Sequence, residues 1–443
     1  MNKLVEILSV NSFLNRNLSK GFIKYFNNTS WLLLDSTIKI LLSLSIGIWV
    51  ARYLGPERYG LLNYAISFVG LFSFISSLGL NSIVVRELVK DECDSIILLG
   101  STFVLKLFGS FLLFVLLIIA INFVSNDFYT NVLIFIIASS AIFQSFNVIA
   151  LFFQSIVMSR YIAYANIISI FISSIIKIIL ILNKASITAF ALVIVLDSAI
   201  MAMGYIYFYS KNTQTNILYF KCKIKTAVDL LKDSWPLIIS GLVITINMKI
   251  DQVLIKEMIG LADVGYYAVA VRLSEFWYFI PAIILSSLFP AIVNSKKISE
   301  KLYYSRLQKL YKAMFLISII IAILMTFFSD ELVQVLYGGQ YSKSASVLRI
   351  LIWAGINVAI GSVWTQWIIT ENKQYIATIS NSLSAVLNIV FNIYLIKRYG
   401  IIGAAWATLL SYSISTLFAF SIYKPLIAYR FFLNSIQFWK IND

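Results

Sequence analysis

Nine titratable side chains fall inside stretches that are otherwise apolar: Asp35, Lys39, Lys106, Lys177, Asp197, Lys249, Asp251, Arg272 and Glu275. Facing lipid, each charge at mid-membrane costs on the order of 2.5–3.5 kcal/mol, and nine together roughly 25 kcal/mol. A fold stabilised by only about 5–15 kcal/mol cannot carry that unrelieved. The charges must therefore face one another or a hydrated interior. Their spacing agrees: Asp35 and Lys39 are four apart and Arg272 and Glu275 three apart, so each pair shares a helix face. Lys249 and Asp251 are two apart and point differently. Lys106 has no carboxylate on its own helix and reaches mid-depth, whereas Lys177 lies near an outer end, within snorkelling reach of the surface. Lys39, Lys106, Lys249 and Arg272 are candidates to line such an interior. Asp35, Asp197, Asp251 and Glu275 are either ion-coupling groups or ties between helices.

The elements that must position them are membrane helices. The chain has 443 residues, 60% hydrophobic and 12% charged, about half the charged fraction of a soluble protein. Its mean hydropathy is +0.88. Continuous apolar runs near 20 residues, rather than ten-residue alternation, exclude a membrane β-barrel and predict an all-α polytopic protein. Twelve spans are expected near 29–50, 58–80, 96–124, 130–155, 162–182, 186–209, 235–257, 265–293, 307–328, 346–369, 375–396 and 402–422. With the N-terminus inside, 22 Lys/Arg fall on the inner side and 8 on the outer, with five in spans. That bias follows the positive-inside rule and places both termini in the cytoplasm, so the net charge of +15 reflects topology and not nucleic-acid binding. Residues 1–28 read as an amphipathic cytoplasmic lead-in, 211–234 as a basic linker between lobes spanning 29–210 and 235–422, and 423–443 as a tail on the inner surface. Cys93 and Cys222 fall on the inner side, where thiols stay reduced. Trp49, Tyr53, Trp364 and Trp367 read as interface markers.

Absences narrow the chemistry. There is no histidine, which removes histidine-dependent nucleophile systems, proton relays and metal sites. No phosphate-cradling Gly-x-x-x-x-Gly-Lys-Ser/Thr loop occurs, and no cysteine pair has zinc spacing. No metal or other cofactor is expected. An outer loop large enough for a membrane polymerase or ligase is missing from this segmentation.

An internal repeat organises the halves. An offset of 205 carries Gly55 onto Gly260, Gly60 onto Gly265 and Ala65 onto Ala270. Each half thus opens on an apolar hairpin with glycines at matching turn positions, the mark of a duplicated bundle. The run Ala51-Arg52-Tyr53-Leu54-Gly55-Pro56-Glu57-Arg58-Tyr59-Gly60, continued by Leu61 to Ala65, resembles a hallmark of the polysaccharide flippase branch of the multidrug/oligosaccharidyl-lipid/polysaccharide exporter superfamily. Ile250-Asp251-Gln252-Val253-Leu254-Ile255 with Val264-Gly265-Tyr266-Tyr267-Ala268 resembles the second hallmark. The resemblance implies two pseudo-symmetric six-helix lobes and translocation of an undecaprenyl-diphosphate-linked oligosaccharide, of O-antigen or capsule type, across a bacterial cytoplasmic membrane. It also implies membrane lipids, a polysaccharide polymerase and a chain-length regulator as partners. On that reading the four cations meet the diphosphate, while Ser43, Asn247, Asn357 and Gln366 offer hydroxyls and amides to sugars, groups that equally join helices. A cation-coupled multidrug exporter and a peptidoglycan-precursor flippase of the same superfamily share the expected fold and stay open, as does a membrane polymerase or ligase.

Overall fold

A segment crossing hydrocarbon must satisfy its own backbone, and a helix does so internally. In a computed structural model describing residues 20–90, 94–213 and 216–429, helices joined by short turns account for the architecture, with no strand among the described residues. Most of the expected lead-in and tail, and Cys93, lie outside the described residues; Cys222 is exposed and free.

The first lobe runs through α1 (Lys20–Leu71), α2 (Ser73–Ser77), α3 (Leu80–Lys90), α4 (Ser95–Ala120), α5 (Phe128–Ala138), α6 (Ser140–Gln144), α7 (Val148–Ser155), α8 (Arg160–Leu182) and α9 (Ile187–Thr213). The second runs through α10 (Ile224–Met258), α11 (Leu261–Glu275), α12 (Phe279–Lys296), α13 (Glu300–Phe327), α14 (Ser329–Tyr337), α15 (Lys343–Thr370), α16 (Tyr375–Tyr399) and α17 (Ile401–Ile422). Among the described residues, 11 helical stretches are long and apolar enough to cross a membrane. One of them, Asn28–Leu71, has 44 residues. At 1.5 Å per residue it would extend about 66 Å, twice a hydrocarbon core of about 30 Å. It makes two passes because Gly55, at φ 73° and ψ 170°, breaks α1 directly before Pro56. Glycine takes that conformation without a Cβ penalty, and proline suits the first turn of the arm that follows. Counting this bend gives twelve passes, six to a lobe. The helix expected from 235 already begins at Ile224, so Lys225 and Lys232 of the expected linker are helical.

The lobes meet most closely at the end carrying these glycine turns. A Cβ on Gly60 would stand 1.8 Å from the Leu261 carbonyl oxygen, and one on Gly265 would stand 2.0 Å from the Pro56 carbonyl oxygen. The 205-residue offset maps Gly60 to Gly265 and Pro56 to Leu261, so these contacts are mates about a pseudo-two-fold axis. Deeper in, Gly47 meets Arg272 while Ser67 donates to Gln252 Oε1 at 2.8 Å, again mates under the same offset. Connecting segments knit over the crossing: Tyr341 donates to the Ala51 carbonyl at 2.8 Å and Gln340 to that of Arg52 at 3.0 Å. At the opposite end α3 meets α10, where Arg86 donates to Asp233 at 2.5 Å. Trp49 is exposed, as an interface marker should be, but Trp364 and Trp367 are buried in the second lobe's core among Ile360, Val363 and Ile368. Apolar area outweighs the single N–H of each indole there.

Candidate functional site

The first lobe contains two adjoining cavities that share Ser43, Ile170 and Asp197 as walls, of about 270 and 220 Å³. Lys39, Asn166 and Ser169 complete the first; Asn63, Lys177 and Arg272 contribute to the second. Helical periodicity builds them. Asn166, Ser169, Ser173 and Lys177 recur every three or four residues on one face of α8, and the small serines let α1 and α9 approach. Asp197 of α9 accepts the Ser169 hydroxyl at 2.6 Å and interacts electrostatically with Lys177, which also feels Arg272. Asp35 accepts Asn166 at 2.9 Å and pairs with Lys39 at 3.4 Å, and Tyr205 donates to Asn166 Oδ1 at 2.8 Å. Three cations and one carboxylate therefore line the two chambers, with buried Asp35 behind one of the cations. This excess of positive charge suits a desolvated anion.

Arg272 belongs to α11 of the other lobe, yet its guanidinium donates to the backbone carbonyl and, at 2.9 Å, to the hydroxyl of Ser43 on α1. The room for it comes from Gly47, where a Cβ would stand 2.7 Å from Arg272 Cζ. Glu275, expected to share a face with Arg272, interacts electrostatically with Lys249 first and with Arg272 as well, while the guanidinium's hydrogen bonds go to Ser43. The stem of Lys249 packs over Gly70 of α1. Lys249, Glu275 and Arg272 thus stand along the junction of the lobes.

Two of the nine charges sit elsewhere. Buried Lys106 gives its amine to Asn81 Oδ1 at 2.8 Å and lines none of these cavities. Asp251 is buried within its own lobe and accepts Tyr267 at 2.6 Å, Asn392 at 2.7 Å and Thr408 at 2.7 Å. Among the polar candidates, Ser43 lines both first-lobe cavities, Asn247 and Asn357 come together in a cavity of the second lobe, and Gln366 lines none of them. Polar stripes, a signal that no single residue carries, run along α8 and along α16, where Ser380, Ser384, Asn388 and Asn392 repeat every four residues. Gly55 and Gly260 hold the positive-φ turns, whereas Gly60 and Gly265 are helical and act as contact points.

A family model for polysaccharide biosynthesis proteins matches residues 25–296, more than half of the chain. The chain belongs to that family. The MatE model matches residues 236–394. The "Putative O-antigen transporter" of Shigella flexneri is 23% identical over 397 residues, covering 85% of this chain and 92% of that protein. The "Probable low-salt glycan biosynthesis flippase Agl15" of Haloferax volcanii is 24% identical over 194 residues, 44% of this chain and 41% of that protein. A membrane protein of Methanocaldococcus jannaschii is 30% identical over 148 residues, 29% of its length, so the matches to these last two span under half of each relative. Among solved structures, the lipid II flippase MurJ in an inward closed conformation superposes with a TM-score of 0.73 at 17% identity, over 91% of this chain and 90% of that one. An inward-facing multidrug resistance MATE family transporter of the MOP superfamily gives 0.68 at 15% identity, over 90% and 96%. These likenesses show that the chain shares the fold of those two transporters.

Proposed function

We propose that this chain carries an oligosaccharide linked to undecaprenyl diphosphate, of O-antigen or capsule type, from the inner to the outer leaflet of a bacterial cytoplasmic membrane by alternating access. The observation that carries the reading is Arg272, a second-lobe cation reaching into the first-lobe chamber that Lys177 also lines, next to the chamber lined by Lys39. A diphosphate loses water on entering such a chamber, and fixed cations on both lobes return that stabilisation while the lobes rock about it. The lipid tail stays in the bilayer. In this reading both termini are cytoplasmic, the lobes span 29–210 and 235–422, and Lys249 serves the same anion from the junction. Asp197 or Glu275 are the acids placed to couple the cycle to an ion, and a polymerase and a chain-length regulator receive the product. Export of a cationic drug, the alternative suggested by the MatE match, is disfavoured by the three cations facing the cavities.

The test is genetic and biochemical. Deleting the gene removes the surface glycan and traps its lipid-linked repeat unit on the inner leaflet. Arg272→Ala reproduces that defect with normal amounts of protein in the membrane. Normal surface glycan in the deletion strain would refute the proposal.

A further inference from the structure

Next to a largely apolar cavity of about 580 Å³, with which it shares Asn357, Thr416 and Phe420, the second lobe holds a cavity of about 260 Å³ walled by α10, α15, α16 and α17. Its character differs from that of the first-lobe chambers. No Lys, Arg, Asp or Glu is among its lining residues; Asn247, Asn357, Trp364, Asn381, Ser384 and Tyr412 are among its polar groups, together with hydroxyls of α15, α16 and α17. Three of these leave a buried polar atom without a protein partner: Asn247 Oδ1, Trp364 Nε1 and Ser384 Oγ. Trp364 is 3% exposed and Ser384 4%. Buried polar atoms without partners are costly, so an occupant offering the missing hydrogen bonds is rewarded for entering.

The three orphans differ in kind. An indole N–H only donates, an amide oxygen only accepts, and a hydroxyl does either. A phosphate, having acceptors alone, would leave the Asn247 oxygen unmet and find no cation. A sugar ring carries hydroxyls that donate and accept, and an apolar C–H face that suits an indole. The cavity also adjoins the charged junction. Tyr412 interacts electrostatically with Glu275, which interacts with Lys249 and Arg272, and Met248 of the lining precedes Lys249 in α10. One bound headgroup would meet cations first and neutral amides and hydroxyls beyond them.

We infer that this second-lobe cavity is a subsite for an uncharged sugar residue of the cargo, with Trp364, Ser384 and Asn247 as its ligands, an inference that rests on the translocation reading. The two lobes then divide the recognition: the first lobe and the junction take the diphosphate, and the second lobe reads the glycan. Sugar hydroxyls would supply the hydrogen bonds that these three atoms lack within the protein.

The test uses the full-length purified protein and two probes: the polyprenyl-diphosphate oligosaccharide extracted from cells lacking this chain, and bare undecaprenyl diphosphate. The sugar-bearing lipid is expected to bind at least tenfold tighter. Trp364→Phe keeps the aromatic face and removes the N–H; combined with Ser384→Ala it should shrink the difference below threefold while leaving the affinity for the bare lipid unchanged. That unchanged affinity also reports an intact fold. Arg272→Ala should weaken both probes alike. Equal binding of the two probes to the unaltered protein, or a full sugar increment in the double variant, would overturn this inference and leave the translocation reading standing. Binding of neither probe would overturn both.

Discussion

Replacing Gly60 by alanine tests whether the crossing of α1 and α11 is the closed gate of a two-state transporter. The added Cβ would lie 1.8 Å from the Leu261 carbonyl oxygen and 2.8 Å from the Gly265 nitrogen, both backbone atoms. Backbone cannot rotate out of the way as a side chain can, so the hairpins must separate. Overpacking of this kind costs about 1–3 kcal/mol, and at 2 kcal/mol the ratio of outer-closed to outer-open molecules falls roughly 30-fold. The reporter is Asn63→Cys in a chain lacking Cys93 and Cys222, because Asn63 lines the first-lobe cavity one turn beyond the glycine. Intact cells are treated with a membrane-impermeant maleimide, and the labelling rate should rise in Gly60→Ala and in Gly265→Ala. The double variant should add little, since both methyls part the same helix crossing and the first separation relieves the second clash. Gly339→Ala, where a Cβ meets nothing within 4 Å, is the control. A labelling rate in Gly60→Ala equal to that of the control would refute the gate.

Further outcomes follow from the same contacts. Asp251→Asn turns one carboxylate oxygen into a donor facing other donors, at a cost of about 1–3 kcal/mol, and should lower the melting temperature in detergent. A melting temperature equal to that of the parent would show that the three bonds contribute nothing. Lys106→Met, which keeps the stem but strips the amine from Asn81, should retain most surface glycan, whereas Arg272→Ala abolishes it; equal losses would return Lys106 to the anion path. Cysteine placed at exposed Ser342 should react from outside and at exposed Ser299 from inside, and the reverse would invert the topology.

Depth along a helix was legible in the sequence, and azimuth was not. Hydropathy located the passes, and the 205-residue offset anticipated Gly60 and Gly265 as matching positions; carried further, it pairs Gly47–Arg272 with Ser67–Gln252 as well. Counting residues from the inner end put Lys106 at mid-depth but could not tell which way it points, and it points to Asn81. The same count puts Lys177 within snorkelling reach of the surface, yet it shares a face with Ser173, Ser169 and Asn166 and joins Arg272 around a cavity. A polar residue every three or four positions within an apolar helix carries that missing angle, because such a stripe must face the interior. The α16 stripe of Ser380, Ser384, Asn388 and Asn392 would have pointed to the second-lobe cavity and to the partners of Asp251.

Gly47 separates two roles that Arg272 is asked to play. In the resting arrangement its guanidinium donates to the Ser43 carbonyl and hydroxyl, so part of its donor set is committed before any anion arrives. On the proposed translocation reading, a diphosphate must displace Ser43 to gain those N–H groups. Gly47→Ala intrudes on the same spot, 2.7 Å from Arg272 Cζ and 2.8 Å from Nη2. Unlike the clash at Gly60, this one meets the far end of a flexible side chain, which yields cheaply and leaves the fold intact. A hydrogen bond to a charged group contributes about 1.5–3 kcal/mol net, so weakening the competing one should tighten undecaprenyl diphosphate binding by about tenfold. Adding Arg272→Ala should erase that gain and bring affinity to the level of Arg272→Ala alone. If Gly47→Ala weakens the diphosphate as much as Arg272→Ala does, the Ser43 contact is no competitor, and Arg272 acts only as a strut between the lobes.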